Sequence, residues 1–141
     1  MVTGTKYLLD SDIVIAMLRD GKDVSGLRRK ALSVGLDNCY ISAISLSELY
    51  LGAYRMQSER GLHEVAFIKA ILNILPFQGP DASAAEGFGR IGAMLTSAGK
   101  PLDDMDLLIG VSALAEGMTM VTHNTRHFSR IPGLTLEDWL A

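Results

Sequence analysis

The sequence predicts an α/β domain built on a parallel sheet with helices on both faces. Three observations carry this. Short apolar runs alternate with longer runs of helical period along the chain, and Ser or Asp stands where the helical runs begin. No repeat, low-complexity stretch or linker divides residues 1–141, which read as one domain. A chain of 141 residues can bury roughly 68–70% of its unfolded surface. With 48% hydrophobic and 21% charged residues, and only nine Phe, Tyr or Trp, its core is aliphatic and disorder is excluded.

Lys6-Tyr7-Leu8-Leu9 reads as a buried strand ending in Asp10-Ser11-Asp12, where Ser or Asp caps the helical run Ile13 to Leu18. A basic helix around Ser25 to Val34 carries Arg28-Arg29-Lys30 and ends near Gly35. Cys39-Tyr40-Ile41 is the next strand, and Ser42 caps a long helix to about Gln57. Residues 60–72 are helical again, and Asn73-Ile74-Leu75-Pro76 is a short strand closed by its proline. Asp81 caps a small-residue helix to about Ala98, which Gly99-Lys100-Pro101 breaks. Asp103 to Glu116 is apolar nearly all round, the mark of a buried helix. Met118 to Val121 is a strand, Thr122-His123-Asn124-Thr125 its following loop, Leu134 to Leu136 a last edge strand, and Trp139 packs in a terminal turn.

One cysteine, Cys39, excludes an internal disulfide and a Cys-rich zinc site. His123 and His127 stand four apart, but no cysteine or third histidine lies near them in sequence and His63 is alone, so a metal would be held mainly by oxygen, which selects Mg, Mn or Ca. No basic leader with a long apolar stretch opens the chain, and no run reaches the roughly 18 apolar residues of a membrane span. The expectation is a soluble cytoplasmic protein without a membrane partner.

In open α/β sheets, ligand sites lie outside the carboxyl ends of the strands. Asp10 and the Thr122 to Thr125 loop leave strands at that edge. Asp10 serves equally as a helix cap or as a ligand, but Asp12 two residues on repels it unless a cation intervenes. Glu48 shares a helical stripe with Ile44, Leu51 and Gly52, a costly place for a carboxylate unless it is paired or bound to metal. A salt bridge to Arg55 or a solvated helix edge is the plain alternative. Asp103 is the natural cap of its helix, whereas Asp106 shares a face with Gly110 and Ala113 and should point inward at the helix mouth. Acids from three separate elements at one sheet edge would suit Mg²⁺, which keeps several waters and acts readily on phosphodiesters.

These residues resemble a PIN domain, and more closely the VapC-type ribonuclease toxins of toxin–antitoxin pairs. The resemblance runs through Tyr7 to Ile15, Ile41 to Tyr50, Gly99 to Gly110, Val121 to Phe128 and Pro132 to Trp139. It implies a three-layer α/β/α fold with a mostly parallel sheet, Mg²⁺- or Mn²⁺-dependent RNA cleavage, a homodimer, and inhibition by a cognate antitoxin. The family's acids match Asp10, Glu48 and Asp106, with Asn124 after the last strand of the motif and Ser11 and Thr122 beside the metal. The implied roles are ligation by Asp10 and Asp106, orientation or deprotonation of the attacking water by Glu48, and a hold by Asn124 on a water or a phosphate oxygen. Relatives with Asn at this position often carry an acid just before the Phe; here that residue is His127. Asp12 stands where Asn is common, so it is a candidate replacement ligand.

RNA contacts fall to Lys100, Arg126 and Arg130 on the flanking loops, while Arg28, Arg29 and Lys30 fan around a solvated helix. His123 and His127 read as surface or capping groups. Two other readings compete: a PIN-like binding or regulatory protein with a weakened site, and a haloacid-dehalogenase-like phosphatase opening on Asp10-Ser11-Asp12. The net charge of -3 first speaks against a polyanion binder. Setting aside Asp10, Asp12, Glu48 and Asp106, however, leaves twelve acids against thirteen Lys and Arg, so the excess acidity is that of the candidate pocket.

Overall fold

The Asp10 carboxylate accepts the Ser11 N–H, which ends strand β1 (Tyr7–Leu9) and starts helix α1 (Ser11–Leu18). The protein is described from a computed structural model covering residues 4–19 and 26–141. Helix α2 (Leu27–Val34) occupies the expected place; the proposed start at Ser25 lies outside the described residues. A 3-10 turn (Leu36–Asn38) then leads into β2 (Cys39–Ser42). Ser42 caps α3 (Ala43–Arg55) by accepting the Ile44 N–H, Ser58 caps α4 (Glu59–Ile71), and Asp81 caps α5 (Ala82–Ser97) through the Ala84 N–H. Asp103 caps α6 (Asp104–Ala115), accepting from Met105 and Asp106.

The third strand is displaced from its expected position. Asn73, Ile74 and Leu75 spend their N–H groups on carbonyls of Ala70 and Ile71 as α4 unwinds, so none is free for a ladder. Pairing begins only at Pro76, whose carbonyl accepts the Ile41 N–H, and β3 is Phe77–Gln78. Proline thus opens the strand, a position where its missing N–H costs nothing. Strand β4 (Thr119–Val121) leads to a helical turn, α7 (Thr125–Phe128), in what reads from sequence as loop. The last strand, β5, is Leu136–Glu137.

The five strands lie in the order β3-β2-β1-β4-β5, and every pair is parallel. Side chains of adjacent strand residues leave opposite faces. Leu9, Ile41 and Val121 pack with Ile13, Val14, Ile68 and Ile71 on one side, whereas Leu8 and Met120 pack with Ile91, Ile109, Val111 and Phe128 on the other. This gives three layers, α/β/α. Helix α6 is buried on most of its surface, as its apolar sequence requires. No helix among the described residues is long and apolar enough to cross a membrane.

Strand β1 is central, with β2 on one side and β4 on the other. The chain winds outward in opposite directions from it, so the crevice of this sheet opens at the carboxyl ends of β1 and β4.

Candidate active site

That crevice holds Asp10 at the end of β1 and Thr122 at the end of β4. Thr122 is fully buried. Its hydroxyl donates to Asp10 Oδ2 at 2.8 Å and accepts the Asn124 N–H at 2.9 Å. The other carboxylate oxygen of Asp10 accepts the Ser11 N–H at 2.9 Å. Asp10 is therefore fixed by both of its neighbouring segments, and both oxygens retain lone pairs for a further partner. Burial pushes its carboxyl above the usual value, the Thr122 hydrogen bond pulls it back, and the charges of Asp12 and Asp106 push it up again.

Glu48 lies on α3 and Asp106 in the first turn of α6. The Asp106 carboxyl is raised first by burial and then by Asp103, with His127 acting in the opposite sense. Glu48 is raised by desolvation and then by Asp106, Asp103 and Asp10. It is nonetheless an exposed residue, so repulsion from three other carboxylates is the more specific of these causes. Glu48 also lines a groove of about 350 Å³ between α1, α3 and α4, which keeps it reachable from solvent. The alternative pairing with Arg55 is absent: among the described residues no Lys or Arg forms a salt bridge with Asp10, Glu48 or Asp106.

Asp10, Glu48 and Asp106 thus share one electrostatic neighbourhood, and Asn124 is tied to it through Thr122. Asp12 is marginal, being exposed with Oδ1 on the Ile13 N–H at 2.8 Å, although its charge reaches Asp10. Of the basic candidates, Lys100 and Arg126 are exposed, whereas Arg130 donates to the Pro101 carbonyl at 2.9 Å and braces the α5–α6 connection. Arg28 ties α2 to α1 through the Met17 carbonyl, while Arg29 and Lys30 face solvent. Two contributors escape sequence reading. Asp103 repels both Glu48 and Asp106, and its position three residues before Asp106 was the available signal. His127 reaches Asn124 and Asp106 from α7, an element invisible in the sequence pattern.

The donors offered here are oxygen atoms with unneutralised negative charge, which suits a hard divalent cation. Among the described residues no three acidic or histidine side chains stand close enough to form a ready-made cage. An ion such as Mg²⁺ keeps several of its waters and needs only one or two carboxylates.

Thr122→Val should remove the donor that holds the Asp10 carboxyl down. The acidic limb of the pH–activity profile should move to higher pH, because Asp10 would then ionise later, with the helical circular dichroism unchanged.

A doubly wound parallel α/β domain with an acid-rich pocket at its carboxyl edge is the class of protein that fold and site define. The PIN domain model matches residues 7–134. A tRNA(fMet)-specific endonuclease VapC of Shigella flexneri is 36% identical over 95% of this chain and 98% of its own length. Among solved structures, VapBC-1 from nontypeable Haemophilus influenzae superposes with a TM-score of 0.81 at 26% identity, covering 97% of this chain and all of that one. DNA-bound VapBC from Salmonella typhimurium gives 0.80 at 29% identity, covering 96% and 98%. The chain belongs to the PIN domain family and, within it, to the VapC proteins. The phosphatase reading of Asp10-Ser11-Asp12 gives way to this assignment.

Proposed function

We propose that this chain is a divalent-metal-dependent endoribonuclease of the VapC type, a toxin restrained by a cognate antitoxin. The observation that carries the reading is the unneutralised group Asp10, Glu48 and Asp106 at the carboxyl edge of the sheet, in a chain whose relatives are named as ribonucleases. Asp10 and Asp106 would hold Mg²⁺ or Mn²⁺, with Glu48 beside them and Asp12 as an outer contributor. Such an ion, when bound, offsets charge on the phosphodiester and favours attack by water.

The protein's own residues do the rest. Thr122 and Ser11 hold Asp10 in one orientation. Glu48, its carboxyl raised above the ordinary value yet open to solvent, is suited to take a proton from the attacking water at its carboxylate. Lys100 and Arg126 would hold RNA phosphates, and Arg130 shapes the loop that presents Lys100. A homodimer acting in the cytoplasm, where the RNA is, completes the reading. Solved relatives are VapBC assemblies and toxin–antitoxin complexes, which supports an antitoxin partner here.

The test is to incubate the purified chain, free of antitoxin, with total RNA and with tRNA(fMet), the substrate in the name of the Shigella relative. Mg²⁺, Mn²⁺ and a chelator are compared and the new ends mapped. Discrete cleavage that needs the metal is expected. Cleavage that survives chelation, or a folded chain that never cuts RNA, would overturn the proposal.

A further inference from the structure

Asn124 caps α7 in an unusual way. An Asn at this position ordinarily accepts the N–H two or three residues on with its side-chain oxygen, yet α7 has no such bond. The side chain turns instead to His127, with Nδ2 and Nδ1 2.8 Å apart. In a capping box, the third helical residue reaches back to the backbone N–H of the cap. Here that N–H is already held by Thr122 Oγ1, so the carboxamide is what remains for His127 to hold. An imidazole nitrogen that meets an amide N–H is the unprotonated one, which puts the ring proton on Nε2. Asn124 Oδ1 is left without a hydrogen bond from any described residue. A continuous path then runs from His127 through Asn124 and Thr122 to Asp10.

We infer that His127 is a positioning residue for the ribonuclease site: by accepting the Asn124 amide at Nδ1, it turns the Asn124 carboxamide oxygen toward the substrate as an acceptor for an O–H group. That group is the attacking water or the ribose 2′-hydroxyl, which share the chemistry Oδ1 requires. An imidazole before Phe128 holds Asn124 without adding negative charge.

This inference rests on the ribonuclease reading, and a double-mutant cycle separates the two. Metal-dependent cleavage by the wild type that Asp10→Asn abolishes secures the reading independently; a wild type without it takes both down. In the active enzyme, His127→Ala should lower kcat about tenfold with KM nearly unchanged. His127→Asn, which keeps an acceptor near the place of Nδ1, should restore most of the loss. Added to Asn124→Ala, His127→Ala should cost nothing further. Independently of activity, ¹⁵N spectra of the metal-free protein should show an unprotonated Nδ1 and a protonated Nε2 on His127. On RNA with a 2′-deoxy substitution at the scissile nucleotide, the His127→Ala penalty vanishes if Oδ1 takes the 2′-hydroxyl and persists if it takes water; either pattern upholds the role. Additive losses in the cycle, full activity of His127→Ala, or a proton on Nδ1 would overturn it.

Discussion

Asp10→Asn is expected to leave the fold in place and abolish metal-dependent RNA cleavage, a loss on the order of a thousandfold or more. Asn caps a helix about as well as Asp, so the bond to the Ser11 N–H and the start of α1 survive. The negative charge disappears, and with it the acceptor for the buried Thr122 hydroxyl. A donor stranded in this way costs about 1–3 kcal/mol. Removing a charge that burial, Asp12 and Asp106 all disfavour works in the other direction. The thermal midpoint should therefore stay close to the parent's while activity falls, and labelled-RNA cleavage alongside circular dichroism reads both. Retained cleavage would remove Asp10 from the site.

Asp106→Asn should lose activity to a similar degree but gain stability. Its carboxylate makes no hydrogen bond to a described residue, so nothing is stranded by the change, and its ionisation in the folded protein is opposed by burial and by Asp103. A carboxyl raised in the folded state binds its proton more tightly there than in the unfolded chain. Ionisation therefore costs stability as pH rises from the ordinary carboxyl range through the raised value. The gain from Asp106→Asn should be full at neutral pH, a few degrees in Tm, and should fade as pH falls below that range. Adding Mg²⁺ should raise the wild-type midpoint and leave that of Asp106→Asn nearly unmoved. A variant less stable than the parent at neutral pH, without metal, would contradict the charge-crowding account.

Local chemistry was legible in the sequence where it was local in space. The caps at Ser42, Asp81 and Asp103 each bind an N–H within three residues, and α6 declared its burial by lacking a polar face. The third strand was misplaced because Ile74 and Leu75 are as apolar as a strand, although their N–H groups finish α4; no periodicity records that. The three acids were identifiable, but their convergence depends on a sheet order that pairs β1 with two distant segments. The Thr122 loop was legible at the same sheet edge, but its hydrogen bond to Asp10 was not, since it spans 112 positions. Glu48 was expected on a burial-prone stripe, and the structure instead leaves it open beside a groove. There its carboxyl is raised by desolvation and then by the charges of Asp106, Asp103 and Asp10.

The position of β1 at the centre of the sheet bears on how the chain comes off the ribosome. Tyr7 pairs with Cys39 on one side and Thr119 on the other. Domains grow from the amino end during synthesis, so one edge of β1 stays open until β4 emerges. Until then Asp10 has no Thr122 to hold it, and until α6 emerges it has no Asp106 beside it. The surroundings of Asp10 are therefore assembled from segments made long after it, and a chain that stops before α6 and β4 has neither Asp106 nor Thr122 to set beside it.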